Sequence, residues 1–176
     1  FNKGVKYASG DIIGFLHSDD LFESKDVIEL ICNSFNDKID GVYGNLNYVS
    51  QFDEKKIVRK WVSCNYNSSM LSRGWMPAHP TFFLKKTVYI KHGNFNLKYS
   101  ISADYDFMVR VLKDKNLNFL FIPSVITNMR LGGNSNRSLN NLIKKTKEDY
   151  LIIRSNGIGG FFTLFLKNFL KITQFF

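Results

Sequence analysis

Only two cysteines, Cys32 and Cys64, occur in the 176 residues, and neither stands in a CxxC motif or a Cys/His cluster. A disulfide framework is therefore excluded, and a reducing compartment is the simpler expectation. Three prolines and 12 glycines leave no low-complexity linker, and no internal repeat is found at any period. The opening FNKGVKYASGD meets charge and glycine before any apolar run of useful length, so it does not read as a secretory signal. There is no initiator Met, and the chain starts within what reads as a helix, which suggests a domain cut from a longer protein. Disorder is excluded by what is abundant: 44% hydrophobic residues, with 17 Phe and 8 Tyr. A single domain of this length buries roughly 70% of the surface its unfolded chain exposes.

Charge is uneven. The formal balance is +9, and from Asn116 onward eight basic residues face two acids, Glu148 and Asp149. A basic C-terminal third suits an anionic partner such as nucleotide phosphates, nucleic acid or acidic lipid; a solvated lysine face is the plainer alternative.

Along the chain, Asn2 to Ala8 reads as the end of a helix. Ile12 to Leu16 follows as a buried strand of the kind found at the centre of a parallel sheet, running into His17-Ser18-Asp19-Asp20. A helix capped by Ser24 carries an apolar stripe of Val27, Ile28, Leu30, Ile31 and Phe35. Gly41 to Val49 is the next strand, Lys56 to Trp61 an edge strand, and Ser63 to Pro80 a long loop. Thr81 to Leu84 is strand-like, and Lys86 to Lys91 is a short helix ended by Gly93. Ala103 to Lys113 is a helix capped by Ser102, and two short strands follow, Phe119 to Ile122 and Val125 to Met129. Helices over Leu139 to Ile153 and Ile158 to Phe176 complete an α/β pattern.

Asp19 and Asp20, at the C-terminal end of the first strand, carry the most local information. Ligands of open α/β sheets gather at that edge, and adjacent carboxylates repel unless a cation joins them. Oxygen ligands suit Mg²⁺ or Mn²⁺, which fill their remaining positions with water and substrate phosphate. An exposed turn that caps the next helix explains the pair equally well.

Around these acids, Asn2-Lys3-Gly4 and Ala8 to Asp20 resemble the segment that holds the metal-binding DxD-type motif in glycosyltransferase family 2, whose fold is GT-A. The resemblance continues through Val42-Tyr43-Gly44-Asn45, His79 to Phe83, Gly93 to Asn96, Ala103 to Arg110 and Gly132-Gly133-Asn134-Ser135, in the family's order. It implies a GT-A-like mixed sheet flanked by helices, lacking its first strands, over residues 1–155; the remaining residues, 156–176, read from their own pattern as an apolar-basic helix. It also implies an inverting transfer of sugar from a nucleotide-sugar donor to an acceptor hydroxyl, of the kind that builds bacterial surface polysaccharide or glycolipid.

Residue by residue, the resemblance places the metal on Asp20 with Asp19 nearby, both beside the donor. Asp104 becomes the general base and His79 a second catalytic residue that donates a hydrogen bond. Arg130 and the Gly132 to Ser135 turn become donor contacts, and Trp75 an acceptor platform. Plainer roles stand beside these: dipole decoration for Asp104, a packed histidine for His79, a loop anchor for Trp75 and a simple turn after Arg130. Asp106 reads as dipole decoration or a partner for Arg110. Four departures from the family pattern are visible. The opening strand is missing, His17 replaces the first acid of the DxD-type motif, and Ala103 replaces the Glu that commonly precedes the base; Leu131 also stands where some relatives carry a metal-directed His.

In the last helix, Thr163, Lys167, Lys171 and Gln174 fall on one stripe, with Phe161, Phe162, Phe165 and Phe169 around the rest. Its lysines argue against a membrane span and suit an interfacial helix whose lysines meet anionic head groups; packing onto the domain is the alternative. The expected location is cytoplasmic, at the inner face of the cell membrane, with no nucleic-acid partner. The rival is a non-enzymatic basic module that binds nucleic acid or acidic lipid.

Overall fold

The computed structural model describes residues 1–131 and 139–172, with side chains to residue 170. The Gly132 to Ser135 turn and the last four residues of the expected final helix therefore lie outside the described residues.

Strand β3 (Gly41–Val49) is the spine, buried along almost all of its length. It runs parallel to β6 (Phe119–Arg130) on one side and antiparallel to β5 (Phe83–Lys85) and β4 (Ile57–Trp61). Two-residue strands close the edges: β1 (Ile12–Ile13) on β5 and β2 (Leu21–Phe22) on the far end of β6. The strand order is β1-β5-β3-β6-β2, a mixed sheet of the expected α/β class. Alternation along β3 and β5 feeds two cores. Tyr43 and Leu84 join the larger one with α3 (Lys86–His92), α4 (Ala103–Leu112), α5 (Leu139–Ser155) and α6 (Phe161–Ile172). Val42 and Phe83 join the smaller one with Val27 and Ile31 of α2 (Val27–Asn33). Helix α1 (Asn2–Tyr7) adds Val5 to the larger core.

Several expectations need correction. The Ile12 to Leu16 segment is not a central parallel strand. Only Ile12 and Ile13 are paired, antiparallel to β5 at the sheet edge, and Leu16 is exposed. With a ladder partner on one side only, an apolar run alone does not make a strand central. In α2 only Val27 and Ile31 are buried, while Ile28 and Leu30 face solvent. The helix starts after Asp26, whose amide donates to the Ser24 hydroxyl, so Ser24 sits two residues too early to cap it. The two short strands expected between Phe119 and Met129 are one strand with a register shift opposite Tyr43 to Leu46. Pro123 supplies no ladder donor there. A Cβ on Gly44 would stand 2.4 Å from Ile126 Cγ1 and 2.8 Å from the Ser124 carbonyl, so glycine admits the bulge.

The loop from Ser63 to Pro80 is folded around two 3₁₀ turns, Ser68–Arg73 and His79–Thr81. Its second half is pinned to the sheet centre. The Thr81 hydroxyl donates to the carbonyls of Gly44 and Ala78, and the Thr127 hydroxyl donates to the Pro80 carbonyl. Its first half is fastened by α6, where the Thr163 hydroxyl donates to the Ser72 carbonyl at 2.7 Å. Gly74, at φ 76, lets the loop approach so closely that a Cβ would meet the Lys167 backbone at 2.6 Å.

Candidate active site

Asp20 is buried just before β2, and its amide donates to the His17 carbonyl at 3.0 Å, closing a tight turn after β1. Its Oδ2 atom is buried without a hydrogen-bond partner. Burial pushes the carboxyl above its usual value, partly offset by His17 and by the Arg130 amide, while Asp19 adds to the rise. Asp19 is exposed and accepts from the Ser18 hydroxyl at 2.8 Å. An orphaned, buried carboxylate oxygen with a second carboxylate beside it fits a divalent cation that takes its other ligands from phosphate and water. Among the described residues, no three His, Cys, Asp or Glu side chains group into a metal site.

His17 links this corner to His79, their ring centroids 6.0 Å apart. His79 is buried between Phe15, Phe1 and Phe95, with the Phe15 ring stacked at 5.9 Å. Burial lowers its pKa, opposed by the nearby Asp104 carboxylate, so the imidazole is neutral around pH 7. Asp104 lies in the first turn of α4, partly exposed, and its Oδ1 accepts from the Tyr105 amide at 2.8 Å. Asp20, His17, His79 and Asp104 thus form a chain of neighbours. A groove between α1 and α3, lined by Lys3, Lys6, Lys86, Tyr89 and Gly93 among others, includes none of these four.

The other expected site residues are placed differently. The Arg130 guanidinium pairs with Glu54 at 3.0 Å, while its backbone lies beside Asp20. Trp75 packs inward, stacked on Tyr66 at 5.7 Å and edge-on to Tyr43 at 5.9 Å, as a loop anchor does. Asp106 pairs with Arg110 at 2.9 Å, as its i,i+4 spacing suggests.

Three residues around Asp104 were missed. The Glu148 carboxylate of α5 accepts from the amides of Ser100, Ile101 and Ser102 and from the Ser100 hydroxyl. Asp149, next to it, is buried and receives Lys145 at 2.9 Å and Lys167 of α6. Lys167 Nζ also sits 3.9 Å from the Tyr105 ring centroid. Burial alone would raise Asp149, but Lys167 and Lys145 hold it below the usual carboxylate value. The one available signal was that Glu148 and Asp149 are the sole acids in a basic C-terminal third.

A mixed sheet with helices on both faces defines an α/β protein with a GT-A-like fold. Residues 1–108 match Glycosyl transferase family 2, and the chain belongs to that family. Two curated relatives, each described as an uncharacterized glycosyltransferase, come from two strains of Mycobacterium tuberculosis (CDC 1551 / Oshkosh and ATCC 25618 / H37Rv). Each is 27% identical over 114 residues, which cover 62% of this chain and 41% of the relative. The chain thus spans less than half the length of the relatives it matches.

Proposed function

We propose that the protein is an inverting glycosyltransferase acting on a nucleotide-sugar donor and an acceptor hydroxyl. The succession of close neighbours from buried Asp20 through His17 and His79 to Asp104 carries this reading. Asp104 takes the proton from the acceptor hydroxyl, whose oxygen forms the new bond to the anomeric carbon. The bond from that carbon to phosphate breaks, and the nucleoside diphosphate leaves with the electron pair. His79, enclosed by aromatics, offers a neutral N–H to the acceptor or a phosphate oxygen. Asp20, with Asp19, would hold Mg²⁺ or Mn²⁺, which when bound supplies several kcal/mol, roughly, of stabilisation to the leaving diphosphate. Arg130 can exchange Glu54 for a donor phosphate, since an exposed pair of this kind is worth about 0–1 kcal/mol. Trp75, partly buried, would meet an acceptor with the part of its ring left exposed.

The test is turnover of a panel of UDP-, GDP- and dTDP-sugars by the full-length protein, read as nucleoside diphosphate release and as inversion at the anomeric carbon by NMR. Asp20→Asn should reduce release by about a hundredfold or more. Its melting temperature should hold or rise, because a buried charge with an unpartnered oxygen is removed. Wild-type turnover by this variant would sink the assignment of Asp20.

The outward faces of α5 and α6 support a place on an anionic membrane surface, at the inner face of the cell membrane. The structure inverts the expected orientation of the last helix. Thr163 and Lys167 face the domain, while Phe161, Phe162, Phe165 and Phe169 are 76%, 70%, 56% and 51% exposed. Both acids of α5 are buried, and Lys144, Lys147 and Arg154 are exposed, so the outward charge of the two helices is basic. Exposed aromatics flanked by cations fit anionic lipid. Among the described residues no helix is long and apolar enough to cross a membrane.

Cosedimentation with phosphatidylcholine vesicles, with and without phosphatidylglycerol, checks this. Binding should require the anionic lipid, weaken with salt and fall about tenfold or more in Phe161→Ser/Phe165→Ser, because each buried Phe contributes roughly 1.5–3 kcal/mol. Absence of vesicle binding would overturn it. So would a dimer that the same substitutions dissolve, and oligonucleotide binding in place of vesicle binding would favour the rival basic module.

A further inference from the structure

Glu148 stands on α5, some 44 residues after the proposed base, and outside the stretch matched to the family, which ends at residue 108. Its buried carboxylate spends both oxygens on one short segment. Oε1 accepts from the Ser100 amide and hydroxyl, each at 3.1 Å, and Oε2 accepts from the amides of Ile101 at 3.0 Å and Ser102 at 2.9 Å. Burial alone would raise its pKa, but these donors hold it below the usual value. Three consecutive amides aimed at one carboxylate make a charge-assisted clamp that fixes the backbone direction of the segment. That segment enters α4 at Ser102, the N-cap residue, whose own side chain makes no capping bond. Asp104 is two residues further on. Glu148 thus fixes the backbone at the start of α4 from a different element.

We infer that Glu148 is a positioning residue for Asp104: its carboxylate holds Ser100 to Ser102 so that the base faces the acceptor oxygen. This rests on the proposed role of Asp104. A base displaced by about an ångström loses on the order of 10² in rate. Glutamine at position 148 keeps the shape but replaces one acceptor oxygen with an NH₂ that confronts amide donors. The Ser100 to Ser102 strap is then left free to move.

The experiment compares Glu148→Gln, Ser100→Ala and Asp104→Asn in the full-length protein, with the UDP-, GDP- and dTDP-sugar panel as substrate and amide hydrogen exchange as a readout independent of turnover. Glu148→Gln is expected to lower kcat about 10- to 100-fold with little change in KM for the donor. Exchange should rise at residues 100–104 and stay unchanged in β3 and β6. Ser100→Ala, which removes one of the four bonds, should give the same local pattern with a kcat loss of a few fold. Normal kcat in Glu148→Gln beside an inactive Asp104→Asn overturns the positioning role and leaves the base in place. Normal turnover by Asp104→Asn overturns the base, and the positioning role with it. Should Glu148→Gln unfold globally, Ser100→Ala decides: unchanged kcat or unchanged local exchange in that variant overturns the inference.

Discussion

Asp104→Asn is expected to cut sugar transfer by about 10²–10⁴-fold, the usual worth of a placed general base, with the fold intact. The amide retains an oxygen for the Tyr105 N–H and is nearly the same size as the carboxylate, so the first turn of α4 keeps its local bond. What it loses structurally is a negative charge at a helix start, worth about 0.3–1 kcal/mol. The two roles considered for Asp104 therefore separate cleanly. A base predicts a large fall in kcat with a small change in melting temperature, and dipole decoration predicts the small change alone. A kcat within tenfold of wild type would leave decoration as its role.

Asp149→Asn should be the most damaging single change to stability, at about 3–5 kcal/mol, because Lys167 would then be buried without its counter-charge. Replacing both residues, Asp149→Asn with Lys167→Met, should recover most of that loss, since the buried ammonium is removed together with its counter-charge. Urea unfolding of the two variants measures the difference. The pH dependence gives a second check. Burial lowers Lys167 to about 8, opposed by Asp149, whereas an unfolded lysine titrates near 10.4, roughly. Between these values the unfolded chain binds more protons, so this group contributes stability that rises with pH. Without Asp149 the folded pKa falls further and the window extends below 8. The deficit of Asp149→Asn should accordingly shrink as the pH is raised from 7 to 9, and a constant deficit would argue against a charged Lys167 as its cause.

Much of this architecture is legible from local pattern. The spine β3, the edge strand β4 and helices α3 and α4 all announce themselves through apolar spacing and end signals, and Asp106 with Arg110 follows from spacing alone. Errors arose where a neighbour decides. Ile12 and Ile13 look central until the sheet shows that β1 has one partner. Phe119 to Met129 looks broken because Pro123 interrupts the alternation, yet β3 carries the strand through the bulge. The last helix has a polar stripe in either orientation. Sequence does not reveal that Asp149, on another helix, draws Lys167 inward and leaves the phenylalanines outside. Within the site, the acid pair and His79 could be found as motif residues. Glu148 could not, because its partners are backbone amides, which leave no trace in side-chain identity.

The fastening of the 63–80 loop by α6 bears on the order in which the molecule is completed. Translation delivers β3, His79 and Asp104 long before Thr163 and Lys167. Until those last residues emerge, the Ser72 carbonyl and the Asp149 carboxylate lack partners they hold in the finished fold. A nascent chain therefore carries every proposed catalytic side chain before α6 has emerged to fasten the loop and to pair with Asp149.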